Sequence, residues 1–333
     1  MKRIVIASDG TWSRLDAPHP TNVAKLAQAV LPQAPDGVAQ ITCHLDGVGT
    51  GRGTGRLARG IDRMLGGLFG TGLTETIEEA YRFLVLTYAP GDEVYLFGFS
   101  RGAFSARSLA GLIRNCGILD RAHAAAIPEA LALYWARSPE AGPDSPAALA
   151  FRAAHAAQVT TGPGEAAWRA EHDLPEGVPL QLAYLGVWDT VGSLGLPGYL
   201  GAARWLNRGL AFHDTALSWI VRAARHAVAI DERRRTFPPT LWDNLDALNA
   251  GAAGAGLALD PAAVADWHAG RNCLGPLFGR PPLLRRLLTL DCRDRVGPGR
   301  LADLAEAAAR RWRAVPSYRP RALARVAAVL DAG

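Results

Sequence analysis

Val94-Tyr95-Leu96-Phe97-Gly98-Phe99 carries no charged side chain and is apolar on both faces, and it passes without a linker through Ser100-Arg101-Gly102 into a helix-periodic stretch. A strand apolar on both faces has to be covered on both faces, as a central strand of a parallel sheet is. Upstream, Pro90-Gly91-Asp92 supplies the turn that starts the strand. Downstream, Phe104, Leu109, Leu112 and Ile113 fall on one face of a helix over 101–116, and Gly117 is placed to end it.

The rest of the chain extends this pattern. Ile4 to Ala7 is a short apolar run closed by Asp9-Gly10, which reads as a buried strand ending in a turn, and Asn22–Val30 follows as a helix. Thr76-Ile77-Glu78-Glu79 offers a capping box, which puts a helix start there and carries the helix on through Tyr81, Leu84, Val85 and Tyr88 to Pro90. Leu180–Val187 reads as a strand ending at Trp188-Asp189, and 213–230 as a helix. Alternating strands and helices predict an α/β fold with a mostly parallel sheet and helices on both faces. Residues 121–180, rich in Ala, Pro and Gly, read as a helical insertion with helices at 124–137 and 146–158. The organisation expected is a main domain over 1–250 and a helical C-terminal region over 251–333.

Composition excludes several classes. With 333 residues, 49% of them hydrophobic, the chain has ample material for a core, so disorder is not its main state. The net charge of +5 is modest, and all but Lys2 and Lys25 of the 36 basic residues are arginines scattered among acids, which argues against a nucleic-acid partner. Cys43, Cys116, Cys273 and Cys292 form no CxxC pair, so neither a zinc site nor a disulfide framework is indicated. MKRIVIASDG has too short an apolar run for a signal peptide, and no window reaches the length of a membrane span. The expectation is a soluble protein made inside the cell, either a cytoplasmic enzyme or a cargo for export.

Gly98-Phe99-Ser100-Arg101-Gly102 is a GxSxG pattern where its mechanism needs it, between a two-sided strand and an amphipathic helix. Such a turn lifts the Ser100 hydroxyl above the sheet beside helix N–H groups; the plainer reading is a serine capping that helix. The oxyanion of a serine hydrolase is held by the N–H of the residue after the nucleophile, here Arg101, and by a loop after an early strand. Gly10 and Thr11 occupy that loop, which can equally be a plain turn. An aspartyl-nucleophile phosphatase motif is excluded, because Ala7 holds the place of its first aspartate. The glycine-arginine loop at 47–60 matches neither GxGxxG nor GxxxxGK[ST] and reads as a solvated loop. Asp189 stands at a strand end, where the order Ser, Asp, His puts the triad acid.

These residues carry a family resemblance. SDGTW at 8–12, DGVGTG at 46–51, YRFL at 81–84, GFSRGAFSAR at 98–107, GVWDTVGSLGLP at 186–197 and ARHAVAIDERRRTFPPTLWD at 224–243 resemble the catalytic domain of type VI secretion phospholipase effectors. The resemblance implies an α/β-hydrolase-like fold and a lipid or phospholipid ester as substrate. It implies Ser100 as nucleophile and Asp189 as acid, with no metal or organic cofactor required. The family carries its catalytic histidine in a glycine-rich loop shortly after TLWD. Here Leu241-Trp242-Asp243-Asn244 runs on into Gly251-Ala252-Ala253-Gly254 with no such histidine, as if some tens of residues near 250 were absent. After Asp189 the chain offers His213 and His226, both read as structural and placed in the 213–230 helix, and His268, which falls closest to the expected position. The alternative to a hydrolase is a degenerate member kept as a binding or scaffold module. The arginines of 300–330 beside an Ala/Leu/Val face read either as a peripheral membrane contact or as a solvated helix packed on the domain.

Overall fold

The computed structural model describes residues 1–47, 68–136, 138–191, 216–229 and 240–244. β1 (Arg3–Ser8), β2 (Gln40–Leu45), β3 (Glu93–Phe99), β6 (Leu182–Trp188) and β7 (Ala224–Ala227) form a five-stranded sheet in the order β2-β1-β3-β6-β7. Every neighbouring pair is parallel. The expected α/β fold with a mostly parallel sheet is what the chain adopts.

Side-chain alternation along the strands divides the core in two. Ile4, Ile6, Val94, Leu96, Leu185 and Val187 face the larger cluster. That cluster includes α2 (Leu68–Thr87) through Leu73, Ile77, Tyr81 and Leu84, and α3 (Arg101–Cys116) through Phe104, Leu109, Leu112 and Ile113. Val5, Tyr95, Phe97 and Tyr184 face the other side, where Leu26 of α1 (Asn22–Ala29) covers them. β3 is therefore buried on both faces, as its composition requires. α1 begins at Thr21, whose hydroxyl caps the Ala24 N–H at 3.0 Å.

From β1 the chain goes outward to β2, then crosses back through α2 to place β3 on the other flank of β1. The carboxyl ends of β1 and β3 are thus a topological switch point, where open α/β sheets form a crevice. Asp9-Gly10-Thr11 and Ser100 both lie there.

The 121–180 segment contains α4 (Ile127–Trp135), α5 (Pro146–His155) and α6 (Glu165–Glu171) with a two-stranded ribbon of β4 (Val159–Thr160) and β5 (Val178–Pro179). Its lock is a buried triad. Glu165 accepts from Arg152 Nε at 2.9 Å, from Arg169 Nη2 at 2.8 Å, and from the Thr161 and Gly162 N–H groups at 2.9 and 3.2 Å. Arg152 Nη1 also donates to the Asn115 carbonyl at 2.7 Å, which ties this segment to the last turn of α3. Burial pushes the Glu165 carboxyl up, but the two guanidiniums and the N–H donors outweigh it and hold it below the usual range.

Two sequence expectations are corrected, and one strand is new. α2 begins at Leu68 rather than at Thr76, which sits within the helix and donates to the Gly72 carbonyl at 2.9 Å; the helix buries Leu73 on the same stripe as Ile77. The helix expected over 213–230 is absent from its described part. Val221 bridges Leu182, and Ala224–Ala227 pairs with Leu185–Trp188, so strand pairing overrides the helical propensity of an alanine-rich run. β2, the edge strand of the sheet among the described residues, carries no clear alternation, and the sequence does not announce it. The helical region expected from 251 onward, the loop read over 47–60 apart from Gly47, His213 and His268 lie outside the described residues.

Glu165→Ala would leave two buried guanidiniums without their carboxylate, and removing one member of such a group costs about 3–5 kcal/mol. Urea unfolding should register a loss of that order. Because the folded-state pKa is depressed, the contribution of Glu165 is present above the unfolded value of roughly 4.3 and is lost as pH falls through the lowered folded value.

Candidate active site

β3 ends at Phe99 and α3 starts at Arg101, which leaves Ser100 alone to turn the chain. It does so at φ 54° and ψ −114°, a conformation that costs a non-glycine residue on the order of 1–3 kcal/mol and persists only where its surroundings hold it. Two glycines make those surroundings. A Cβ on Gly98 would lie 2.3 Å from the Gly102 carbonyl oxygen, and a Cβ on Gly102 would lie 2.1 Å from the Ser8 oxygen and 2.5 Å from the Asp9 oxygen. The first turn of α3 is thus pressed directly onto the end of β1. Ser100 N–H donates to the Trp188 carbonyl at 2.9 Å, which fastens the turn on the β6 side. The Ser100 hydroxyl does not cap α3, and it makes no hydrogen bond among the described residues.

Asp189 leaves β6 at the level where Ser100 leaves β3, since Phe99 and Trp188 are in register. Its φ of 45° is also in the left-handed region. Its N–H donates to the Ala227 carbonyl at 2.9 Å, and its Oδ1 accepts from the Ala229 N–H at 2.6 Å, so the end of β7 holds its backbone and the segment after β7 its carboxylate.

The Asp9-Gly10-Thr11 turn lies on the other flank. Gly10 rests against Phe99, with room for no Cβ: one would stand 2.6 Å from the Phe99 ring. The Gly10 N–H donates to Asp9 Oδ1 at 2.7 Å. Of the two turn residues read as oxyanion donors, Thr11 is the one whose N–H has no acceptor among the described residues. Arg101, the third, opens α3, so its N–H belongs to the turn of a helix whose N–H groups point outward at the elbow.

His226 sits on β7 opposite Val187 rather than in a helix. Its Nε2 accepts from the Thr190 N–H at 3.2 Å, which leaves the proton on Nδ1. Its ring meets Trp242 edge-on at 5.6 Å, and the Arg107 guanidinium stacks over the same tryptophan at 4.9 Å. Burial first, and the Arg107 charge second, lower its pKa to about 3. This neutral imidazole serves the backbone beside Asp189 and does not touch Ser100.

The pair that sequence reasoning missed is Asp9 and His44. The Asp9 carboxylate is fully buried at the switch point, with the largely buried His44 ring 3.3 Å away. The signal available was only their positions at the ends of two strands, and β2 was not recognised. A cavity of about 450 Å³ runs along α3 from Arg107 to Arg114, lined also by Leu185, Trp219 and Trp242, and includes neither Ser100 nor Asp189. Among the described residues no group of three His, Cys, Asp or Glu side chains could hold a metal ion. Nor is any helix among them long and apolar enough to cross a membrane.

The family described as "T6SS, Phospholipase effector Tle1-like, catalytic domain" matches residues 2–272, most of the chain. An uncharacterized protein of Saccharomyces cerevisiae, YEL023C, is 28% identical over 243 residues, covering 71% of this chain and 32% of its own length. This chain therefore spans about a third of that relative. A crystal structure of an uncharacterized protein from Pseudomonas aeruginosa aligns at a TM-score of 0.34 and 17% identity, covering 72% of this chain and 36% of the other.

The His226 environment makes a measurable prediction. Its folded pKa lies below the unfolded value of roughly 6.5, so the unfolded chain takes up a proton that the native state refuses, and stability falls as pH drops from about 6.5 toward 3. In a ¹H–¹⁵N imidazole titration, the His226 resonances should remain those of a neutral ring down to about pH 4.

Proposed function

The chain belongs to the family of type VI secretion phospholipase effector Tle1-like catalytic domains, and from that premise we propose that it is a serine ester hydrolase acting on lipid or phospholipid esters, with Ser100 as nucleophile. The observation that carries this reading is the conformation of Ser100: a non-glycine residue held in a strained turn at the switch point, its hydroxyl withheld from the helix it would otherwise cap. A serine kept only as a helix cap would accept from an N–H of the first turn.

In this reading the Ser100 oxygen attacks the acyl carbonyl, its proton passes to a general base, and the negative charge gathers on the carbonyl oxygen. The Arg101 N–H and the Gly10–Thr11 turn receive that charge. Collapse expels the alcohol, which takes up the proton held by the base, and water then releases the acid from the acyl-enzyme by the same steps. Asp189 orients and supports the base. His268 is the histidine that chain order offers for that role. The chemistry needs no metal or organic cofactor. A lipid substrate agrees with the family's description, and peripheral contact with an anionic membrane through the arginine-rich 300–330 stretch would bring the protein to it.

One observation favours the second reading, a member that keeps the fold as a binding or scaffold module. Among the described residues no imidazole engages Ser100: His226 is turned to Thr190 and His44 to Asp9. Loss of the base alone lowers turnover by roughly a million-fold in a well-studied serine protease.

A fluorophosphonate probe separates the two without knowledge of the substrate. The expected result is labelling of the wild-type protein and none of Ser100→Ala, with labelling reduced at least a hundredfold in His268→Ala. Absence of labelling in a folded wild-type protein would decide for the binding module.

A further inference from the structure

Asp9 is a carboxylate where a turn alone would not need a buried one. Its side chain is wholly inaccessible, and among the described residues no lysine or arginine reaches it. Four contacts satisfy it instead. The Gly10 N–H donates to Oδ1 at 2.7 Å, and the Thr21 hydroxyl lies 2.9 Å from each oxygen. His44 Nε2 stands 3.3 Å from Oδ2. A carboxylate removed from water is retained only when such partners compensate it.

The consequence falls on the backbone. Because Asp9 draws the Gly10 N–H back toward itself, that donor is not available to a ligand. The Gly10 carbonyl accepts from the Ser13 N–H at 2.9 Å. Between these two bonds, the N–H groups of Thr11 and Trp12 have no acceptor among the described residues. Trp12 is held at φ 60°, a left-handed conformation unusual for so bulky a side chain, while 60% exposed. Successive N–H groups left open in a turn form an anion-binding concavity. The turn cannot drift from the elbow, because Gly10 lies on Phe99 and the Ser8 and Asp9 carbonyls lie on Gly102.

We propose that Asp9 is a positioning residue for the oxyanion site: it fixes the turn so that the Thr11 N–H, rather than that of Gly10, is the second donor beside Arg101, and His44 supports Asp9 from the edge strand. This rests on the hydrolase reading of Ser100. Asp9 acts through the turn and does not itself meet the substrate.

The test uses the full chain and two readouts: the second-order rate of fluorophosphonate labelling at Ser100, and kcat and KM on a p-nitrophenyl ester, with kcat expressed per titrated serine. Asp9→Asn exchanges an acceptor that holds Gly10, Thr21 and His44 together for an amide that must offer a donor to one of them. The expected result is a fall of roughly a hundredfold in labelling rate and kcat, the loss typical of one oxyanion donor, with KM changed less than about threefold. His44→Ala should lose about tenfold, and His44→Gln, which keeps a donor to Asp9, should recover most of it. A merely structural role would lower the melting temperature and the titratable fraction while leaving kcat per serine intact, and that result overturns the proposal. So does an unchanged labelling rate in Asp9→Asn or, if that variant does not fold, in His44→Ala. A folded wild-type protein that is not labelled at all overturns the hydrolase reading and this proposal together, whereas labelling of the wild type with unaffected variants overturns only this one.

Discussion

The first turn of α3 lies on the end of β1 at a distance that admits no side chain at Gly102. That contact sets the position of everything at the carboxyl edge of the sheet. It brings the helix start, with its outward N–H groups, beside the turn that leaves β1, and it forces Ser100 into a conformation the residue would not adopt alone. The strain is held from both flanks, by β1 through Gly102 and by β6 through the Trp188 carbonyl. The two-sided burial of β3 is what lets a single residue be so constrained, because the strand beneath it is packed on both faces, by Leu96 on one and Phe97 on the other.

Buried polar groups divide by the work they do. Glu165 with Arg152 and Arg169 joins the 121–180 segment to the far end of α3, and the carboxylate is fully saturated by its own neighbourhood. His226 saturates the Thr190 N–H beside Asp189 and is kept neutral by burial and by the Arg107 charge. Asp9 is the case in which saturation of one group leaves others open: holding the Gly10 N–H inward leaves the next two N–H groups of the turn without acceptors. The first two stabilise the scaffold, and the third shapes a surface at the switch point.

Much of this arrangement could be read from the chain. The two-sided β3, the helix ending at Gly117, the strand before Asp189 and the GxSxG junction each follow from local pattern, and the structure has them within a residue or two. Other elements could not be read locally. β2 is an edge strand whose mixed exposure hides its alternation, and without it His44 has no visible relation to Asp9. Ala224–Ala227 has the composition of a helix and becomes a strand because β6 offers it a free edge. The start of α2 is hidden by glycines that a helix tolerates once one face is buried.

Amphipathic periodicity and turn residues are properties of neighbours in sequence, so the amino-acid order by itself determined the α/β class, the strand-to-helix junction at Ser100 and the strand end at Asp189. Only the tertiary structure decided which strand ends meet. The order β2-β1-β3-β6-β7 puts Asp9, His44 and Ser100 at one edge of the sheet and turns His226 toward Thr190. Those relations depend on hydrogen bonds between residues 35 or more positions apart, and no local pattern encodes a partner at that distance.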